Sequence, residues 1–234
     1  MQDSSKYQQF SIKVLGVEFN DINLLIQALT HRSYVNEHKK SVSEHNERLE
    51  FLGDAVLELI STEYLYNRFS DPEGVLTNWR SALVRTESIG AAASRLGFEP
   101  LLRLSKGEKR GTDRARAQIL ANCYEAVLGA MYLDRGYDIT KVFIQNSLLN
   151  TFDQILEEGS WMDPKSYLQE IAQSTEGLTP IYKVLDEVGP DHDKAFTVGV
   201  FINGKLKGRG SGPSKQAAQV AAAKAALEQY KSVK

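Results

Sequence analysis

The sequence predicts two unlike domains. An all-α domain spans residues 1–158, and a small α+β domain of order α-β-β-β-α spans residues 162–234. Three observations carry this. Apolar residues recur at three- and four-residue spacings from Ile22 to Glu158, the period of helices with one buried face. The run Glu157-Glu158-Gly159-Ser160 then interrupts the pattern as a linker would. Beyond it, Phe196, Val198, Val200 and Ile202 alternate with other residues, and Asn203-Gly204 follows as a strong short hairpin signal.

The front domain reads as helices over Ile22–Leu29, Glu47–Phe69, Leu76–Leu96, Ile119–Leu133 and Ile139–Glu158. Asp71-Pro72-Glu73-Gly74 marks a turn, and Gly97 sits where a helix C-terminus favours glycine. In the second domain, Asp163 and Pro164 form an N-cap and first turn for a helix through Gln173. Pro180 to Leu185 and Lys205 to Arg209 read as the strands flanking the alternating one. From Ser214 onward, Ala218, Ala221, Ala222 and Ala225 give the last helix a small-residue face that can lie close on a sheet.

Composition bounds the function. The 234 residues carry a net charge of −2, so no global field advertises a polyanionic partner. Residues 1–158 hold 18 Lys and Arg against 22 Asp and Glu, a balance of −4; residues 159–234 hold 10 against 8, a balance of +2. One cysteine, Cys123, excludes an internal disulfide, fits a reducing compartment and sits among apolar neighbours as a small buried hydrophobe. No apolar run is long enough to span a membrane, and the N-terminus lacks a signal-peptide pattern. A soluble, cytoplasmic protein is expected.

The stretch Asn46 to Ile60 is the most informative. On a helix turning roughly 100° per residue, Leu49, Leu52, Ala55, Val56, Leu59 and Ile60 form a core stripe, while Glu47, Glu50, Asp54 and Glu58 gather beside it. Like charges at these spacings repel. Such a face is either solvated or a site for a hard divalent cation, which prefers carboxylate oxygens. The helix Ile119–Leu133 is apolar nearly all round, yet Glu125 lies in its middle with no Lys or Arg within one turn. A carboxylate there is seldom tolerated without a partner, either a distant cationic group or a metal. Asn122 and Gly129 share its face, and Gly129 would let a second helix approach. These positions suggest that Glu125 and Asn122 face Glu50 and Asp54 across one metal site.

Asn46 to Leu57 resembles the signature of the ribonuclease III family. The segments Ala28–Tyr34, Ser105–Glu108, Ile119–Ala121 and Glu125–Asp134 fall in the order that family shows. The resemblance covers nearly the whole chain and points to the short bacterial form, with one nuclease domain and one double-stranded-RNA-binding domain. It implies a Mg2+-dependent endoribonuclease, with Mn2+ as a substitute ion. The metal site would be Glu50, Asp54, Asn122 and Glu125, with Glu50, Asp54 and Glu125 catalytic. Glu47 would position neighbours or substrate. Where the family usually has Asp, this chain has Asn122. That exchange keeps a carbonyl oxygen and removes one charge, leaving open a competent nuclease or a duplex-RNA-binding protein that cuts slowly or not at all. The resemblance also implies a homodimer, matching the dyad of duplex RNA, and staggered cuts leaving a short 3′ overhang with 5′-phosphate and 3′-hydroxyl ends.

The tail resembles a double-stranded-RNA-binding domain, which reads A-form shape through minor-groove and phosphate contacts. Ser166, Gln169, Glu170 and Gln173 share one face of its first helix, His192 falls in the first hairpin loop, and Lys215 opens the last helix behind Gly210-Ser211-Gly212-Pro213. These are the expected RNA contacts. The basic run Lys106, Lys109, Arg110, Arg114 and Arg116 is either a solvated loop or a further phosphate contact. Thr30-His31-Arg32-Ser33 forms no nucleophile–base pair and reads as structural.

Overall fold

A computed structural model describes residues 4–158, 161, 163–190 and 194–231. It divides into two compact units, Met1–Trp161 and Met162–Lys234.

In the first unit, α1 (Ser5–Phe10) runs into a π-helical turn and is followed by α2 (Ile22–Ala28) and α3 (Arg32–Glu37). Next come α4 (Glu47–Arg68), α5 (Glu73–Val84), α6 (Thr86–Arg95), α7 (Asp113–Ser147) and α8 (Phe152–Glu158). The middle of α7 is the axis of the core. Leu120, Cys123, Tyr124, Val127, Leu128 and Met131 are buried on every side of it, as a helix without a polar face requires. Against it pack Leu49, Val56, Leu57, Ile60 and Leu65 of α4, with Ile89, Ala92 and Ala93 of α6.

Several expectations shift. The helix expected over Leu76–Leu96 breaks at Arg85, which is extended (ψ 152°). There the Ser88 hydroxyl donates to the Ala82 carbonyl at 2.8 Å, satisfying an acceptor that the end of α5 leaves open. The helix expected from Ile119 starts at Asp113, because Thr112 caps it by accepting from the Ala115 amide. It also continues beyond Leu133: Gly136 (φ 76°) joins two helical segments, and the second ends at Ser147 rather than Glu158. The core stripe on α4 is rotated from the expected one. Leu57 is buried, whereas Ala55 and Leu59 are exposed and Leu52 is half-buried. Helix α4 is apolar on two sides, with Phe51, Ala55, Leu59 and Tyr66 along the outer one, and sequence spacing alone merges the two stripes.

The second unit is α9 (Pro164–Glu176), β1 (Ile181–Val188), β2 (Ala195–Ile202), β3 (Lys205–Gly212) and α10 (Lys215–Lys231). The sheet is antiparallel in the order β1-β2-β3. Asn203 (φ 51°) and Gly204 (φ 71°) make the tight turn between β2 and β3. Val198, Val200 and Ile202 face Leu168, Ala172 and the alanines of α10. The buried alanines are Ala218, Ala222, Ala223 and Ala226; Ala221 and Ala225 lie at the margin of the contact. Gly208 and Gly210 let α10 rest on β3. A Cβ on either would come within 2.3 Å of the Ala222 backbone. Gly210 to Gly212, expected in the loop before α10, belong to β3.

Candidate active site and nucleic-acid interface

Two glycines create the site. A Cβ on Gly53 of α4 would lie 1.7 Å from the Glu125 carbonyl oxygen, and one on Gly129 of α7 would lie 2.2 Å from the Leu49 carbonyl oxygen. The two helices therefore touch backbone to backbone, each through the other's missing side chain. This crossing sets Glu50 and Asp54 of α4 beside Asn122 and Glu125 of α7.

The electrostatics follow from the crossing. Burial pushes the Glu125 carboxyl up to about 7, and the charges of Asp54, Glu50 and Glu58 push in the same direction. Glu50 is also raised, first by burial and then by Glu47; hydrogen bonding from Asn122 opposes the rise. Glu58, on the same face, is neutralised by Arg80 at 2.9 Å. Glu47 pairs with Arg32 at 2.5 Å, and His45 lies 3.9 Å from the same carboxylate. Among the described residues no Lys or Arg pairs with Glu50, Asp54 or Glu125. As placed, no three described His, Cys, Asp or Glu side chains converge into a metal-holding group. The donor set is carboxylate and amide oxygen without a neighbouring cation, and this chemistry fits a hard divalent ion.

Gln118 is a neighbour the sequence reading did not single out. Its Nε2 donates to Asn122 Oδ1 at 2.7 Å. The signal was present: Gln and Asn four residues apart on a helix meet side by side.

Around the site, His31 caps α3 by accepting from the Ser33 amide at 3.2 Å. The Ser33 hydroxyl accepts from the Ser105 amide at 3.1 Å. Arg103, largely buried, donates to the Thr30 hydroxyl and lies 4.4 Å from the Tyr34 ring centroid. The Thr30–Ser33 segment thus ties α3 to residues 103–105. In the basic run, Arg116 pairs with Glu99 at 3.3 Å, while Lys106, Lys109, Arg110 and Arg114 are exposed.

In the second unit, Ser166, Gln169, Glu170 and Gln173 lie exposed along one face of α9. Ser166 is partly engaged as part of the Asp163 cap. Gln169 borders a notch of about 350 Å3 shared with Lys165, Tyr182 and Gln216. Lys215, the first residue of α10, forms an ion pair with Glu187 of β1 at 3.1 Å, and its ammonium lies 5.5 Å from the Phe196 ring centroid. His192 lies outside the described residues.

Known proteins agree with this architecture. A family model described as ribonuclease-III-like matches residues 21–152, and one described as double-stranded RNA binding motif matches residues 164–230. Ribonuclease 3 of Desulforamulus reducens is 46% identical over 215 residues, covering 92% of this chain and 87% of that protein. Ribonuclease 3 of Latilactobacillus sakei is 44% identical over 220 residues, covering 92% and 94%. The nuclease domain of ribonuclease III from Campylobacter jejuni, solved in a study of flexibility in a region involved in its dimer formation, superposes with a TM-score of 0.56. That domain is 38% identical and covers 62% of this chain and 98% of its own. The all-α unit followed by α-β-β-β-α, the crossing of α4 and α7, and these matches place the chain in the ribonuclease III family of endoribonucleases, with a double-stranded RNA binding motif at its C-terminal end.

Proposed function

We propose that this protein is a Mg2+-dependent endonuclease that hydrolyses phosphodiester bonds in double-stranded RNA. It works as a homodimer in cytoplasmic RNA processing and decay. Its products are short duplexes with 3′ overhangs, 5′-phosphates and 3′-hydroxyls. The observation that carries this reading is the backbone-tight crossing at Gly53 and Gly129, which sets the α4 segment bearing Glu50 and Asp54 against the α7 segment bearing Glu125, with no Lys or Arg paired to the three among the described residues.

Glu50, Asp54 and Glu125 are the carboxylate ligands, and Asn122 stands beside them as the fourth residue of the site. A bound divalent ion would offset the repulsion among these carboxylates. Mg2+ held there (or Mn2+ in its place) would supply an activated water and stabilise the leaving oxygen. Glu125 anchors the arrangement, because its main chain is fixed against Gly53 and burial raises its carboxyl to about 7. Glu47, held by Arg32, adds negative potential beside Glu50 and positions it.

The homodimer is supported by the outer face of α4. Phe51, Leu59 and Tyr66 are 82%, 58% and 76% exposed, an apolar stripe that a monomer would leave in water. Phe51 projects beside a groove of about 850 Å3 lined by Leu24, Leu49, Leu52 and Leu133. A two-fold axis through such a patch sets each projection against the other protomer's groove. The α9 face and Lys215 supply the duplex contacts, together with His192.

The test is digestion of a long RNA duplex with Mg2+ and with chelator, followed by end analysis of the products. Metal-dependent short duplexes bearing 5′-phosphates are expected. Products that form equally in chelator, or that carry 3′-phosphates, would refute the mechanism.

A further inference from the structure

Gln118, Asn122 and Glu125 lie on successive turns of one α7 face. Gln118 donates to Asn122 Oδ1 at 2.7 Å. The direction of that bond follows from what stands on the other side. Asn122 faces the Glu50 carboxylate across the α4–α7 crossing. The Asn122 amide hydrogen-bonds that carboxyl in the sense that opposes its rise, which is an N–H donated to a carboxylate oxygen, so its NH2 end is turned toward Glu50. Its oxygen then points along α7, where the Gln118 NH2 fills it. Reversing the amide would set its oxygen against the carboxylate.

We propose that Gln118 is a positioning residue: it holds the Asn122 oxygen so that the Asn122 NH2 steers the Glu50 carboxylate, and Asn122 does not itself ligate the ion. This rests on the metal-site reading above and assigns Asn122 a different part within it. An Asp at 122 could not play this part, having no N–H to give Glu50. The Asn and the Gln thus form a functional pair. The ion is held by three carboxylates, one of them aimed by a two-amide chain. Outer hydrogen-bonding partners of this kind commonly change metal affinity about 10-fold or more.

The two possible roles of Asn122 respond to one substitution with opposite sign. If Asn122 ligates through Oδ1, removing Gln118 frees that oxygen and tightens metal binding. If Asn122 steers Glu50, removing Gln118 lets the amide turn and weakens it. Full-length Gln118→Ala, Asn122→Ala and the double variant are titrated by calorimetry with Mn2+ alone. Gln118 is exposed, so its removal leaves the core intact. The expected result is about 10-fold weaker binding for Gln118→Ala and no further loss when it is added to Asn122→Ala. Unchanged or tighter binding in Gln118→Ala, or additive losses in the double variant, overturns the proposal. The side-chain amide resonances of Asn122 in the metal-free protein give a second readout. A clear shift in Gln118→Ala is expected, and an unmoved pair of resonances overturns the proposal. If the parent protein binds no Mn2+, the metal-site reading fails by itself, and the amide resonances still decide whether the pair exists.

Discussion

Gly53 presses so closely on the Glu125 carbonyl that the crossing of α4 and α7 has no room for a methyl group. The same contact fixes where the Glu125 carboxylate starts, so stability and site geometry share one cause. Gly53→Ala forces the helices apart against backbone on both sides. It should destabilise the protein by about 1–3 kcal/mol, as overpacking does, and reduce cleavage in proportion to the displacement. Denaturant unfolding checks this; an unchanged midpoint would show that the crossing is looser than described.

The Glu125 carboxyl, raised to about 7 from 4.5, gives the metal-free protein a pH dependence with a definite sign. Between those values the folded state keeps a proton that the unfolded chain has released. Stability therefore falls as pH rises from about 4.5 to about 7 and levels off above it. Glu125→Gln should remove that slope and stabilise the metal-free protein at pH 8 by on the order of 1 kcal/mol, a figure reduced for partial exposure. Metal affinity of the parent should rise through the same window as the competing proton leaves. Thermal unfolding at several pH values, with and without Mg2+, reads both effects.

Lys215 meets Glu187 where the sequence points to an RNA phosphate. If Lys215 takes the proposed phosphate, duplex binding exchanges one partner for the other. Glu187→Gln should tighten binding roughly 2- to 5-fold at low salt and steepen the salt dependence by about one counterion. Lys215→Ala should do the reverse. Fluorescence anisotropy with a short duplex across a salt series is the measurement, and a Glu187→Gln protein that binds more weakly would contradict the exchange.

Phe51 tests the dimer without touching the core. Phe51→Asp places a charge in the middle of the exposed stripe on α4 and should weaken association at least about 30-fold, the weight of an aromatic anchor worth about 2 kcal/mol. Light scattering should then find monomers at concentrations where the parent is dimeric. A parent already monomeric at high concentration would remove the need for the stripe to be an interface.

Much of this was legible in the residues. The apolar surround of Glu125 and the glycine four residues after it announced a helix crossing with an acid inside it. Asn203-Gly204 announced the β2–β3 turn. Other features turn on what one-dimensional spacing cannot separate. Leu59 and Ala55 are helically adjacent to the core stripe, but α4 is apolar on two sides and only packing against α7 decides which side is inside. The sequence separates helices at Leu133 and Ile139, yet Gly136 between them, at positive φ, joins two segments of one long element. The partner of Lys215 lies on a strand 28 residues away in sequence, so the pairing depends on the register of the sheet. For Gln118 the i, i+4 relation to Asn122 is plain in the sequence, but which end of each amide faces the other is set by Glu50 on another helix.

The central claim is that three carboxylates gathered at the α4–α7 crossing cut duplex RNA. The direct measurement is single-turnover cleavage of a long labelled RNA duplex in Mg2+ by the parent chain and by Glu125→Ala, with duplex binding measured on both. Discrete short duplexes from the parent, and intact RNA bound with similar affinity by Glu125→Ala, are predicted. Equal cleavage by the two proteins, or none by a parent that binds the duplex well, would contradict the account.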